Sequence, residues 1–162
     1  MADDLLALSQ QVGAALIERG ATVSAAESCT GGLLLSALTD CAGSSAYVLG
    51  GAVTYSNEAK TRLLGLRENT LIAYGAVSEE AAAEMAAGAL SLFDADYALS
   101  VTGIAGPGGG SAEKPVGLTY IGLAQPEGLL RVERHVWGSD RIGNKVASVD
   151  AALRLLLTAL EG

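Results

Sequence analysis

The sequence predicts an α/β fold: a three-layer α/β/α sandwich around a mixed, mostly parallel sheet with at least one antiparallel strand. Amphipathic helical patterns alternate with short β-prone runs through the first two thirds of the chain, the order that builds parallel sheets with helices on both faces. Late in the chain, two β-prone runs flank Pro126-Glu127-Gly128, the spacing of a hairpin. Glycine-rich loops follow apolar runs, and folds of this class bind their ligands in such loops at strand C-termini. With 162 residues, the chain is expected to be one domain, residues 1–162, burying about two thirds of its unfolded surface.

Each element has its own signal. Leu5, Leu6, Leu8, Val12, Ala15 and Leu16 recur at helical spacing, so residues 3–19 read as an amphipathic helix ended by Gly20. Residues 22–26 read as a strand and 32–39 as a helix. Residues 46–55 are apolar and β-prone, with Gly50-Gly51 signalling a bulge or a close backbone contact. Residues 58–64 form a short helix, and 69–74 a further helical turn. Residues 78–93 form a long Ala-rich helix, with Ser78 as N-cap and Glu79 and Glu80 on its positive end. Residues 97–102 read as a buried strand, followed by a Gly/Pro loop to Pro115. Strands at 116–124 and 129–137 make the hairpin. A closing helix over 146–160 is apolar at Val146, Val149, Ala152, Leu153, Leu156 and Leu160.

Bulk properties exclude several functions. Half of the residues are hydrophobic and only 4% aromatic, so the core must be built from Ala, Leu and Val. No run reaches the roughly 18 apolar residues of a membrane span. The acidic start, Met1-Ala2-Asp3-Asp4, is unlike a signal peptide. The net charge is −8, and the ten Lys and Arg are scattered, which argues against nucleic acid as a partner. Cys29 and Cys41 bracket a helix whose rise of ~1.5 Å per residue keeps them too far apart to bridge easily, which fits a reduced, cytoplasmic protein. One histidine and two cysteines do not make a zinc site. No metal or organic cofactor is expected. The glycine-rich, apolar composition leaves room for a homo-oligomer.

The chemistry concentrates at Ala26-Glu27-Ser28-Cys29-Thr30-Gly31-Gly32. A strand that hands its last side chains to a helix N-terminus exposes a nucleophile and aims backbone N–H groups at an anion. Ser28 and Cys29 both qualify as nucleophile, and Ser28 or Thr30 would alternatively cap the next helix. His135 lies in an alternating strand outside the glycine loops and is a poor candidate base. Lys60 is a better one. Capped by Ser56 or Asn57, it falls in the first turn of a helix, where the helix dipole and burial both lower a lysine pKa. Tyr55 ends a strand; it would relay a proton between Ser28 and Lys60, steady a leaving group, or simply be half buried. The backbone of Thr102-Gly103-Ile104-Ala105-Gly106 is a candidate oxyanion hole. It is neither a P-loop nor a dinucleotide fingerprint, because no Gly-Lys-Ser/Thr follows and Pro107 opens into a loop.

These residues resemble the signature of the CinA C-terminal-domain family. Three further blocks match that family in the same order: Val53-Thr54-Tyr55-Ser56-Asn57-Glu58-Ala59-Lys60, Gly75-Ala76-Val77-Ser78, and Thr102 to Pro107 continuing to Lys114-Pro115-Val116-Gly117. The matched blocks run from about residue 20 to 123. The resemblance implies a nicotinamide-nucleotide amidohydrolase that deamidates nicotinamide mononucleotide and releases ammonia. It makes Ser28 the nucleophile and pairs Lys60 and Tyr55 with it. It also brings Ser44, with Ser45 and Ser78, near the site. The expected substrate-binding set is Thr30, Gly31, Gly32, Ser44, Thr102, Gly103, Ala105 and Arg141. The family tends to show Gly-Asp-Arg with an arginine four residues on. Here Gly138-Ser139-Asp140-Arg141 is followed by Lys145, and Gly143-Asn144 weakens the helix start. Two other readings remain at this point: a non-catalytic, nucleotide-binding regulatory module, and an amidase for a different small amide.

Overall fold

The computed structural model describes residues 2–162. Its elements, in chain order, are α1 (Ala2–Arg19), β1 (Val23–Glu27), α2 (Leu33–Thr39), β2 (Val48–Val53), α3 (Asn57–Leu64), α4 (Glu68–Tyr74), α5 (Glu79–Phe93), β3 (Tyr97–Gly103), β4 (Leu118–Ala124), β5 (Leu130–Val136) and α6 (Arg141–Glu161). Short 3-10 turns sit at Ser44–Ala46 and Pro126–Gly128. The five strands form one sheet in the order β2-β1-β3-β4-β5. β1 pairs in parallel with β2 and β3, and β4 runs antiparallel to both β3 and β5. Only β4 therefore opposes the other strands, as the late hairpin implies.

Side-chain alternation sorts the two faces of the sheet. Val23 and Ala25 of β1 and Leu99 and Val101 of β3 point into a core completed by Leu8, Val12 and Leu16 of α1, Leu34 and Leu38 of α2, and Val149, Leu153 and Leu156 of α6. Ala26 and Ala98 point the other way, against Ala81, Met85, Ala86 and Ala89 of α5 and Leu64 of α3. The Ala-rich face lets α5 lie close to the sheet. There the buried hydroxyls of Ser24 and Ser100 donate to the Ala89 and Ala82 carbonyls at 3.0 and 2.6 Å. Gly88 serves the next contact outward, since a Cβ there would stand 2.1 Å from the Leu64 carbonyl oxygen of α3. The helix that carries Lys60 is thereby seated directly on α5.

The double glycine of β2 does both things its sequence suggests. The register with β1 slips between Val23↔Val48 and Ser24↔Gly50, leaving Leu49 unpaired. A Cβ on Gly51 would meet the Ala25 carbonyl and Leu35, and one on Gly50 would meet the Phe93 ring. β2 is shorter than the expected 46–55, because residues 44–46 form the preceding 3-10 turn.

The largest departure is α6. It begins at Arg141, not near residue 146. Asp140 caps it, with Oδ1 accepting the Gly143 N–H at 2.8 Å, and the cap outweighs the poor propensity of Gly143-Asn144. Arg141 and Lys145 are thus inside the first turns of the helix. No described helix is long and apolar enough to cross a membrane.

Candidate active site

Ser28 follows the last residue of β1, a central strand, at the C-terminal end of the parallel strands where α/β sheets open into a crevice. Its backbone N–H still donates to Val101 of β3 at 3.0 Å, so the Ser28 position is tied to the sheet. Glu27 precedes it and is fully buried. Its carboxylate accepts the N–H groups of Gly32 and Leu34 on one oxygen (3.1 and 3.0 Å) and that of Leu35 on the other (2.9 Å). This places an anion on the positive end of α2, where N–H groups lack intrahelical partners. Gly31 N–H closes the turn by donating to the Ser28 carbonyl at 3.1 Å.

Lys60 comes from the opposite layer. Ser56 caps α3 by accepting the Ala59 N–H, which puts Lys60 at the end of the first turn, as the sequence suggests. The side chain is only 1% exposed. Its Nζ lies 3.0 Å from Ser28 Oγ, 2.7 Å from the Thr54 carbonyl oxygen and 3.4 Å from that of Tyr55. No carboxylate pairs with it among the described residues. Burial pushes its pKa below the ordinary lysine value, favouring the neutral amine. A neutral Nζ donates to the two carbonyls and keeps a lone pair for the Ser28 proton, the arrangement of an alcohol beside a base.

Cys29 faces the same cleft, yet burial holds its thiol up at about 11, so it is neutral near pH 7. That separates the two adjacent nucleophile candidates on physical grounds.

The cleft has a volume of about 280 Å³ and is lined by Ser28, Cys29, Tyr55, Lys60, Thr102, Gly103, Ala105 and Arg141 from the sequence candidates. Asn57, Ala76, Val77, Ile104, Gly106, Gly108 and Gly109 complete the wall. The Gly103–Gly106 backbone lines the same cleft as Ser28. Ile104 donates its N–H to Leu118 of β4, and alternation along the strand turns the Gly103 N–H toward the β1 side. Thr102 Oγ1 donates to the Ala76 carbonyl at 2.7 Å, joining this strand end to the segment before α5.

Several expected site residues sit elsewhere or do other work. The Gly31 and Gly32 N–H groups are occupied by Ser28 O and Glu27, so neither is free to hold an oxyanion. Thr30 is buried outside the cleft wall, and its hydroxyl has no partner among the described residues. Ser44 belongs to the turn entering β2, next to the N-terminal ends of β1 and β2; this is the opposite end of the sheet from Ser28. Tyr55 lies at the rim, 65% exposed, with its hydroxyl accepting from Arg141 Nη2 at 3.3 Å. Because Ser28 and Lys60 are bonded directly, no tyrosine relay stands between them. Arg141 also donates to the Gly106 carbonyl at 2.6 Å. His135 stacks on Trp137 with ring centroids 4.5 Å apart, on β5 and outside the cleft. Ser78 caps α5. Sequence reasoning missed Glu27, which holds the turn after Ser28, and Asn144 of α6, which donates to the Ala105 carbonyl at 2.9 Å. Glu27 had a signal, an acidic residue just before a helix start, but its reach from a strand end could not be read.

A family model described as the CinA C-terminal domain matches residues 5–160. The chain belongs to the CinA C-terminal domain family. It is 51% identical over 153 residues to the nicotinamide-nucleotide amidohydrolase PncC of Escherichia coli, covering 94% of this chain and 93% of that protein. It is 56% identical over 150 residues to a CinA-like protein of Chlorobaculum tepidum, covering 90% of this chain but 36% of that protein. The chain thus spans about a third of the length of its CinA-like relatives and nearly all of PncC. Among solved structures, the competence/damage inducible protein CihA from Agrobacterium tumefaciens superposes with a TM-score of 0.94 at 46% identity, covering 98% of this chain and 96% of that one. The matches with CinA-family structures accord with the three-layer architecture described above.

Proposed function

We propose that this chain is an amidohydrolase that deamidates nicotinamide mononucleotide to the nicotinic acid form, with Ser28 as nucleophile and Lys60 as base. The observation that carries the reading is the 3.0 Å contact between Lys60 Nζ and Ser28 Oγ in a buried setting where, among the described residues, no carboxylate pairs with the amine. The likeness to PncC along nearly the whole of both chains supplies the substrate class.

In this reading Ser28 Oγ attacks the carboxamide carbon and its proton passes to Lys60 Nζ. The carbonyl oxygen becomes an oxyanion beside the Gly103–Gly106 backbone. The carbon–nitrogen bond breaks, and ammonia leaves with the proton that Lys60 returns. Water then adds to the acyl-serine, Lys60 accepts its proton, and the acid departs as Ser28 is reprotonated. Arg141 and Tyr55 at the rim are placed to meet the rest of the nucleotide, and a guanidinium suits its phosphate. The two free cysteines fit a reducing, cytoplasmic compartment. A homo-oligomer belongs to the same reading, and sedimentation tests it.

The experiment is ammonia release from a panel of small amides that includes nicotinamide mononucleotide. Turnover of the mononucleotide, abolished by Ser28→Ala, supports the assignment. Turnover of a different amide alone moves the substrate, and tight binding of a pyridine nucleotide without ammonia release replaces the enzyme by a binding module.

A further inference from the structure

Asn144 sits in the first turns of α6 and is 2% exposed. Every polar group it carries is used. Its Nδ2 donates to the Ala105 carbonyl at 2.9 Å, and its Oδ1 accepts the Ser139 N–H at 3.0 Å. Its backbone N–H donates to Asp140 at 2.8 Å, and its carbonyl accepts from Ser148 Oγ at 2.8 Å. Ser148 Oγ in turn accepts the Trp137 indole N–H at 3.0 Å. The side-chain amide is therefore held in one orientation, and that orientation fixes the Ala105 carbonyl.

A carbonyl held on one side dictates the next N–H. In a trans peptide the C=O of one residue and the N–H of the following residue point in opposite directions. With the Ala105 oxygen drawn to α6, the Gly106 N–H points away from α6. Gly106 is buried and lines the same cleft as Ser28. No backbone or side-chain acceptor among the described residues takes its proton. A buried, unpaired N–H is rare in a native fold, and one that opens on a cleft is a donor kept for a ligand.

The geometry points to Asn144 as a positioning residue that turns the Gly106 N–H onto the oxyanion formed at Ser28. The inference rests on Ser28 being the nucleophile, as in the proposed function, and adds the device that aims one of the donors. Asn144 touches no reacting atom. It acts through the peptide between Ala105 and Gly106.

The test replaces the donor by an isostere. Asn144→Asp keeps the size and the acceptor for Ser139 but sets an oxygen against the Ala105 carbonyl. Two readouts follow: ammonia release from nicotinamide mononucleotide, and the rate at which a fluorophosphonate probe modifies Ser28. In the second, Ser28 Oγ bonds phosphorus, fluoride leaves, the serine proton goes to Lys60, and the phosphoryl oxygen needs the same donors whatever the natural substrate. A misdirected oxyanion donor is expected to lower kcat and the labelling rate of the folded fraction about tenfold to a hundredfold, with KM within about twofold; the melting temperature falls in either case, because Asn144 also holds the start of α6. A merely structural role would instead raise KM while sparing the labelling rate of the folded fraction. Asn144→Ala removes the donor without adding repulsion and carries the comparison should the aspartate variant not fold. Wild-type labelling rates in a folded variant overturn the inference. Labelling without ammonia release overturns the substrate while leaving the Asn144 comparison intact. A wild-type Ser28 that neither labels nor turns over overturns both.

Discussion

Replacing Glu27 by glutamine tests the strand-to-helix turn that presents Ser28. The carboxylate accepts the Gly32, Leu34 and Leu35 N–H groups at 3.1, 3.0 and 2.9 Å in full burial. Glutamine offers one carbonyl oxygen, which can keep the pair on Oε1, but its amide then faces the Leu35 N–H, donor against donor. One charge-assisted bond is lost, about 1.5–3 kcal/mol. The interaction with the positive end of α2 goes too, a further ~0.3–2 kcal/mol. A net loss of about 3 kcal/mol follows, or about 6–12 °C in melting temperature for a chain of this size. Guanidinium and thermal unfolding read it directly, with Glu27→Asp, too short to span the turn, as companion. A shift below about 2 °C would show that the turn is held by something else.

Other outcomes follow from the same contacts. Cys29, with its thiol at about 11, should alkylate with iodoacetamide at pH 8 about a hundredfold more slowly than free cysteine, and Cys29→Ala should keep turnover within about tenfold of wild type; rapid alkylation or loss of activity in the alanine variant would contradict the neutral, non-nucleophilic thiol. Gly88→Ala puts a Cβ 2.1 Å from the Leu64 carbonyl oxygen and should destabilise by about 1–3 kcal/mol in thermal melts while also slowing turnover, because α3 carries Lys60; a neutral substitution would mean that α3 and α5 separate freely. For Lys60 the sign follows from its lowered pKa: between the folded value and the ordinary lysine value the unfolded chain binds more protons, so stability rises with pH there. The stability difference between wild type and Lys60→Met should rise with pH across that window, because shifts such as that of Cys29 are common to both proteins, and a difference independent of pH would place the titration on another group.

Much of this molecule was readable from its residues. The helix at 3–19, the capped helix from Ser78, the hairpin at Pro126–Gly128 and the double-glycine irregularity all rest on local rules of periodicity, capping and turn chemistry. The start of α6 was missed because Gly143-Asn144 reads as a break, while the Asp140 cap and the contacts of Asn144 with Ser139 and Ala105 are what hold it helical. Within the site, the residue types of Ser28 and Lys60 were legible, but their meeting across 32 positions depends on α3 seating on α5 through Gly88. Gly31 and Gly32 looked like anion donors because the acceptor that uses the Gly32 N–H, Glu27, is a strand side chain whose direction emerges only in three dimensions. Ser44 was misplaced for a related reason: α2 carries the chain back along the sheet before the turn that contains it.

The most direct measurement is the pH dependence of kcat/KM for ammonia release from nicotinamide mononucleotide, for wild type and for Lys60→Met. The rate of the free enzyme should fall as pH drops through one ionisation lying below the ordinary lysine range, where the buried amine takes up a proton and can no longer accept that of Ser28. Lys60→Met, folded by melting temperature, should lose several orders of magnitude across the whole range. A folded Lys60→Met variant that turns over like wild type, or that retains the same acid limb, would show that the Ser28 proton goes elsewhere.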